Sequence, residues 1–112
     1  MQPTEPQSPA PVTAPKPIVT LAGARAALDA AIAHATARGW AVCIAVCDPG
    51  GNPVVSARMD NAPLLSMQIA VDKAWTVANF GGLPTHEWWG LIEDDPALVH
   101  GITQTPRLVV FG

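Results

Sequence analysis

Apolar positions recur along this chain with two different periods, and each change of period marks a new element. Between Thr20 and Arg38 the residues Leu21, Ala24, Leu28, Ala31, Ile32 and Ala35 fall on one helical stripe, with Arg25, Asp29 and Arg38 off it. The pattern predicts a helix over 20–38, capped by Thr20 and stopped by Gly39. His34 lies beside the stripe and reads as a boundary residue of that helix. Ala41 to Cys47 (AVCIAVC) is an unbroken apolar run, which predicts a strand covered on both faces. Asp48-Pro49-Gly50-Gly51-Asn52 then combines an Asx initiator, a proline and two glycines, the chemistry of a turn. Val54 to Met59 resumes as a strand and closes a hairpin. Alternation puts Val54, Ser56 and Arg58 on one face, and Val55, Ala57 and Met59 on the other.

The helical period returns from Ser66 to Phe80, with Ser66 as N-cap and Gly81-Gly82 as the stop. Met67, Ala70, Val71, Ala74 and Ala78 form one stripe; Ile69, Lys73, Thr76 and Phe80 form a second, more mixed one. Two usable faces predict the sheet on one side and a subunit or ligand on the other. Pro84-Thr85 opens a short helix to Glu93, and Glu87 suits its positive end. Glu93, Asp94 and Asp95 crowd the other end, as a solvated loop or a carboxylate metal site. Pro96 to Pro106 is expected to be irregular, and Arg107 to Phe111 (RLVVF) reads as a last strand. Trp88 and Trp89 sit ~100° apart on a helix, so at least one of them is exposed or in an interface. Trp40 and Trp75 are expected in the core.

Composition narrows the class. The chain has 112 residues, 49% of them hydrophobic and 13% charged, which suits one globular domain. Residues 1–17 hold six of the twelve prolines and predict an extended leader, leaving 18–112 as the domain. The net charge is −3 and the six Lys and Arg residues are scattered. That excludes the basic face nucleic-acid binding requires. No apolar run approaches the ~18 residues of a membrane helix. The N-terminus lacks a secretory pattern, so the expected location is the cytoplasm. Cys43 and Cys47 lie four residues apart on one strand, ~13 Å, beyond the ~7 Å a disulfide spans. No phosphate-binding loop, nucleophile elbow or zinc motif occurs.

The middle of the chain carries a more specific pattern. It combines a strand ending in Asp48, the Gly50-Gly51 turn, Arg58-Met59-Asp60, the Ala70-x-x-Lys73-Ala74-x-Thr76 run and Pro84-Thr85. In order and spacing this resembles the GlcG/HbpS family over roughly residues 20–112. That family includes the GlcG proteins of glycolate operons, the haem-binding protein HbpS and the C-terminal domain of PduO-type corrinoid adenosyltransferases. The resemblance implies an α/β (α+β) fold: a profilin-like antiparallel sheet of about five strands flanked by helices. It also implies oligomers, and haem or a corrinoid as ligand. Family members continue beyond the RLVVF segment with two strands and a closing helix, so the chain is expected to be an incomplete version of that fold.

The polar residues of the shared pattern are the candidate cofactor-binding site. Arg58 and Asp60 are two apart at the hairpin's end. Lys73 and Thr76 share a helix face. Thr85 and His86 begin the next helix, where free N–H groups accept an anion such as a propionate. His86 is the candidate axial ligand to a haem iron. Each has a plainer reading: a surface ion pair for Arg58–Asp60, a snorkelling side chain for Lys73, a helix cap for Thr85. The expected function is a small-molecule binding module, for haem or another tetrapyrrole or corrinoid, acting as carrier or sensor and as a homo-oligomer. The alternatives are an enzyme or accessory protein of glycolate- or diol-type catabolism, with Lys73 or His86 as acid/base, and an oligomerising structural domain.

Overall fold

The first regular element begins where the stripe predicts. In the computed structural model, which describes residues 9–112, α1 runs Leu21–Ala37. Thr20 Oγ1 accepts the Gly23 N–H at 3.0 Å, and Gly39 turns the chain away at φ +69°. Ala24 and Ala35 of the stripe are buried. Strand β1 (Cys43–Cys47) then pairs antiparallel with β2 (Pro53–Arg58) in a two-stranded sheet, with Ile44 opposite Ala57 and Val46 opposite Val55. Asp48 organises the connection: its Oδ1 accepts the N–H groups of Gly50 and Asn52, each at 2.9 Å. Gly51 is buried at φ +88°, pressed against Trp75 and Asn79 of the next helix.

Helix α2 (Leu65–Asn79) covers the sheet face that carries the cysteines. Ser66 Oγ lies 3.2 Å from Cys43 Sγ, and Cys47 Sγ donates to the Ala74 carbonyl at 3.4 Å. Burial, and then the neighbouring Asp48 charge, push the Cys47 thiol above its ordinary pKa, so it stays protonated. The opposite face, through Ala57 and Met59, borders α1 at Ile32 and Thr36. The apolar run of β1 is therefore covered on both sides. Beyond α2 come a 3₁₀ turn (Thr85–Glu87), α3 (Trp88–Ile92) and α4 (Pro96–Ile102). Trp88, Ile92 and Ile102 form a second apolar centre there, joined by Leu83, Val99, Leu108 and Val110. The architecture is α+β, an antiparallel sheet flanked by helices, and the described residues contain two strands.

Four expectations are corrected. Ser66 is not an N-cap; the chain is already helical at Leu64 (φ −58°, ψ −38°), and the Ser66 hydroxyl donates to the Pro63 carbonyl. Residues 96–102 are helical because Asp95 caps them, its Oδ1 accepting the Leu98 N–H at 3.0 Å, and Pro96 stands in the first turn, where it lacks no needed donor. Trp40 is not in the core; it is 53% exposed, with the Arg38 guanidinium 5.6 Å from its ring centre. Residues 107–111 form no strand among the described residues. Arg107 takes φ +67°, which breaks an extended run, and the backbone around it bonds to α2 instead of a ladder. Trp88 is 2% exposed and Trp89 is 56% exposed, as their angular separation demands. Residues 9–17 of the Pro-rich leader are exposed and lack helix or strand; residues 1–8 lie outside the described residues.

Candidate functional site

The C-terminal segment touches three of the six candidate residues, Lys73, Thr76 and His86. Thr76, fully buried on α2, fastens it: Thr76 Oγ1 accepts the Val109 N–H at 3.0 Å. Its hydroxyl proton serves the carbonyls of Asp72 at 2.8 Å and Arg107 at 3.2 Å. Arg107 adds an ion pair, Nε to Asp72 Oδ1 at 3.1 Å, and its guanidinium lies 4.6 Å from the Trp75 ring centre. Beyond this anchor, Phe111 lies under Lys73, whose Nζ is 5.0 Å from the ring centre. Gly112 packs on His86, where a Cβ on residue 112 would fall 3.0 Å from His86 Cβ.

These contacts link Lys73, Phe111, Gly112 and His86 in one chain. The His86 side chain is 68% exposed, and its Nε2 lies 4.0 Å from the Glu87 carboxylate. Trp89 stands one helical turn on and is also exposed, as is Phe111. The chain of contacts thus carries an ammonium, an aromatic ring and an imidazole, with Trp89 one helical turn beyond the last. Thr85 is buried at the start of a three-residue turn, too short for a sizeable helix dipole. Thr76 presents no free group to solvent.

Arg58 and Asp60 do not join this surface. Both are exposed beside the hollow between β2 and α1, and they form no ion pair with each other or with the other four. Among the described residues, no cluster of three or more His, Cys, Asp or Glu side chains is placed to hold a metal ion, which leaves the Glu93–Asp95 trio as a solvated turn with Asp95 as cap.

Sequence reasoning missed a cavity of about 340 Å³ between α2, α3 and α4, with walls of Trp75, Phe80, Trp88, Ile92, Ile102 and Leu108. Its signal lay in the second stripe of α2 and in the Asp95-Pro96 helix start, which places Ile102 opposite Trp88. The Phe80 and Trp88 rings meet there at 4.5 Å.

The comparisons with known proteins bear on this geometry. The family model described as haem degrading protein HbpS-like matches residues 19–112. The chain belongs to the HbpS-like family. It is 33% identical over 96 residues to an uncharacterized 15.0 kDa protein in the dhaT-dhaS intergenic region of Citrobacter freundii, covering 84% of this chain. The chain spans 66% of that relative's length. Among solved structures it is similar to Klebsiella pneumoniae protein ORFY, at a TM-score of 0.84 and 31% identity, covering 94% of this chain and 72% of that one. It is similar also to HbpS, at a TM-score of 0.76 and 28% identity over 93% of this chain and 70% of that one. HbpS-like membership supports a small-molecule binding role in general terms. No helix of the described residues is long and apolar enough to cross a membrane.

Proposed function

We propose that this HbpS-like chain binds a tetrapyrrole, haem in the first instance, on the His86–Trp89–Phe111–Lys73 surface, as a carrier or sensor. The contact chain from Lys73 through Phe111 and Gly112 to His86 carries the reading. A haem-type ligand needs a nitrogen donor, an apolar face and a cation for its carboxylates. His86 offers an exposed imidazole, Phe111 and Trp89 offer aromatic faces, and the Lys73 ammonium is within reach of a propionate. These residues fit the group. The bound group would supply its own ligand and redox chemistry; His86 would hold it, the rings would exclude water from one face, and Lys73 would orient it. Arg58 and Asp60 stand outside this site as a second polar patch.

The exposed Trp89, Leu64 and Leu65 support self-association, and a cytoplasmic homo-oligomer remains part of the proposal. The family's description as haem degrading favours one second reading, turnover of the bound tetrapyrrole. Hemin titration at the Soret band tests the site. His86→Ala abolishes the red-shifted band, whereas His34→Ala and His100→Ala leave it intact. Identical spectra from all three variants overturn the assignment. Steady bleaching of the bound hemin under a mild reductant in air supports turnover; a stable band supports carriage.

A further inference from the structure

The cavity between α2, α3 and α4 lies apart from this surface: His86, Lys73 and Phe111 are not among its walls. Its chemistry is also different. Among the described residues no Lys, Arg, His, Asp or Glu lines it, so a charged ligand would lose its hydration there with nothing in return. The polar side chains in the wall are already engaged. Thr76 bonds the Val109 N–H, Asn79 Nδ2 donates to the carbonyls of Gly50 and Trp75, and Thr105 donates to Gly101. One lining residue also carries a fully buried donor that is unmet among the described residues. Trp88 is 2% exposed, and its indole Nε1–H has no partner among the described residues. Buried donors of this kind are nearly always paired, by protein or by an ordered molecule.

We propose that this cavity is a second binding site, for a small neutral molecule built on an apolar ring and carrying one hydrogen-bond acceptor. Trp88 Nε1 is closed off from solvent, and the acceptor satisfies it, directly or through one water, once the wall opens. At about 340 Å³ the cavity lies at the small end of ligand pockets, which suits one or two rings. Leu91, Phe80 and Leu98 line it and remain 67%, 52% and 43% exposed, so they form its mouth. Phe80, packed on Trp88, has to shift as the ligand enters.

The test titrates acetophenone, a neutral aromatic ketone, into the full chain and follows the four indole N–H signals by NMR. The Trp88 N–H signal moves. Ethylbenzene, which lacks the acceptor, binds roughly three- to tenfold more weakly, and benzoate does not bind. Leu91→Trp, a plug at an exposed mouth position, weakens acetophenone at least tenfold while melting temperature stays unchanged; Leu98→Trp repeats the test at a second position. An unmoved Trp88 signal, binding of benzoate as tight as acetophenone, or full affinity in both plugged variants overturns the proposal. Self-association that both plugs abolish would likewise overturn it by making a second copy the occupant. Hemin binding through His86 is untouched by either plug, so the two sites stand or fall separately.

Discussion

Replacing Thr76 with valine probes the joint on which the surface site depends. The side chain is fully buried, and its oxygen accepts the Val109 N–H at 3.0 Å in a buried setting. Valine fills nearly the same volume but cannot accept. The Val109 donor is then left without a partner, which costs on the order of 1–3 kcal/mol. The Arg107 carbonyl, on an exposed residue, recovers a water and adds little. Thr76→Val is therefore expected to destabilise the fold by about 2 kcal/mol, a fall in melting temperature of roughly 8–10 °C for a domain of this size. Urea unfolding should show a lower midpoint with an unchanged slope. Thr76→Ser keeps the acceptor and loses one methyl, costing about 1 kcal/mol. Hydrogen exchange separates the two: the Val109 amide loses protection in the valine variant and keeps it in the serine variant. A valine variant within about 0.5 kcal/mol of the parent, or one with Val109 still protected, would refute this account of how residues 107–112 are held.

Three further outcomes are expected. Gly51→Ala combines a φ of +88° with a Cβ that would fall 2.6 Å from Asn79 Nδ2 and 2.8 Å from Trp75 Cδ1, so thermal melts should show a loss of about 2–4 kcal/mol. Arg107 holds φ +67° while pairing with Asp72 and covering Trp75, so Arg107→Ala removes those contacts and keeps the strain, whereas Arg107→Gly relieves it and should be the more stable of the two by up to about 1 kcal/mol in urea unfolding. The Asn52 backbone and side-chain N–H groups, with smaller help from Gly50 and Gly51, hold Asp48 below the usual carboxylate range. Its ionised form therefore stabilises the folded turn in full above the ordinary Asp pKa near ~3.9, and that stabilisation is lost as pH falls through the lower folded-state value. Melts of the parent and Asp48→Asn should converge in acid and differ at neutral pH.

Local signals made the first two-thirds of the chain legible. Thr20 and Gly39 bracket α1, Asp48 and the two glycines make the hairpin, and the apolar run of β1 announces its two helical covers. The C-terminal third misled because its structure is decided by partners far away in sequence. RLVVF has the composition of a strand, yet a strand needs a ladder, and here Thr76 and Asp72, more than thirty residues earlier, take its first polar groups. The α4 helix has a local signal, Asp95-Pro96 as an N-cap followed by proline, but a stretch bounded by Pro96 and Pro106 reads equally as irregular chain. For the site, sequence order supplied the right residue types without their grouping. Lys73 and His86 are linked through Phe111 and Gly112, contacts no local pattern encodes. Thr76 was singled out for a ligand, and its hydroxyl is spent on the chain itself.

The central claim is where a tetrapyrrole would sit, and NMR with diamagnetic gallium protoporphyrin tests it most directly. Amide and side-chain signals recorded during a titration of the full chain locate the contact without relying on an iron spectrum. The account predicts that the His86 ring, the Trp89 indole, Phe111, Gly112 and the Lys73 side chain shift together, saturating at one affinity, while Trp88 and the Arg58–Asp60 hollow stay fixed. Shifts centred on Arg58 and Asp60 or on the Trp75–Trp88 cavity, or no saturable shifts at all, would contradict it.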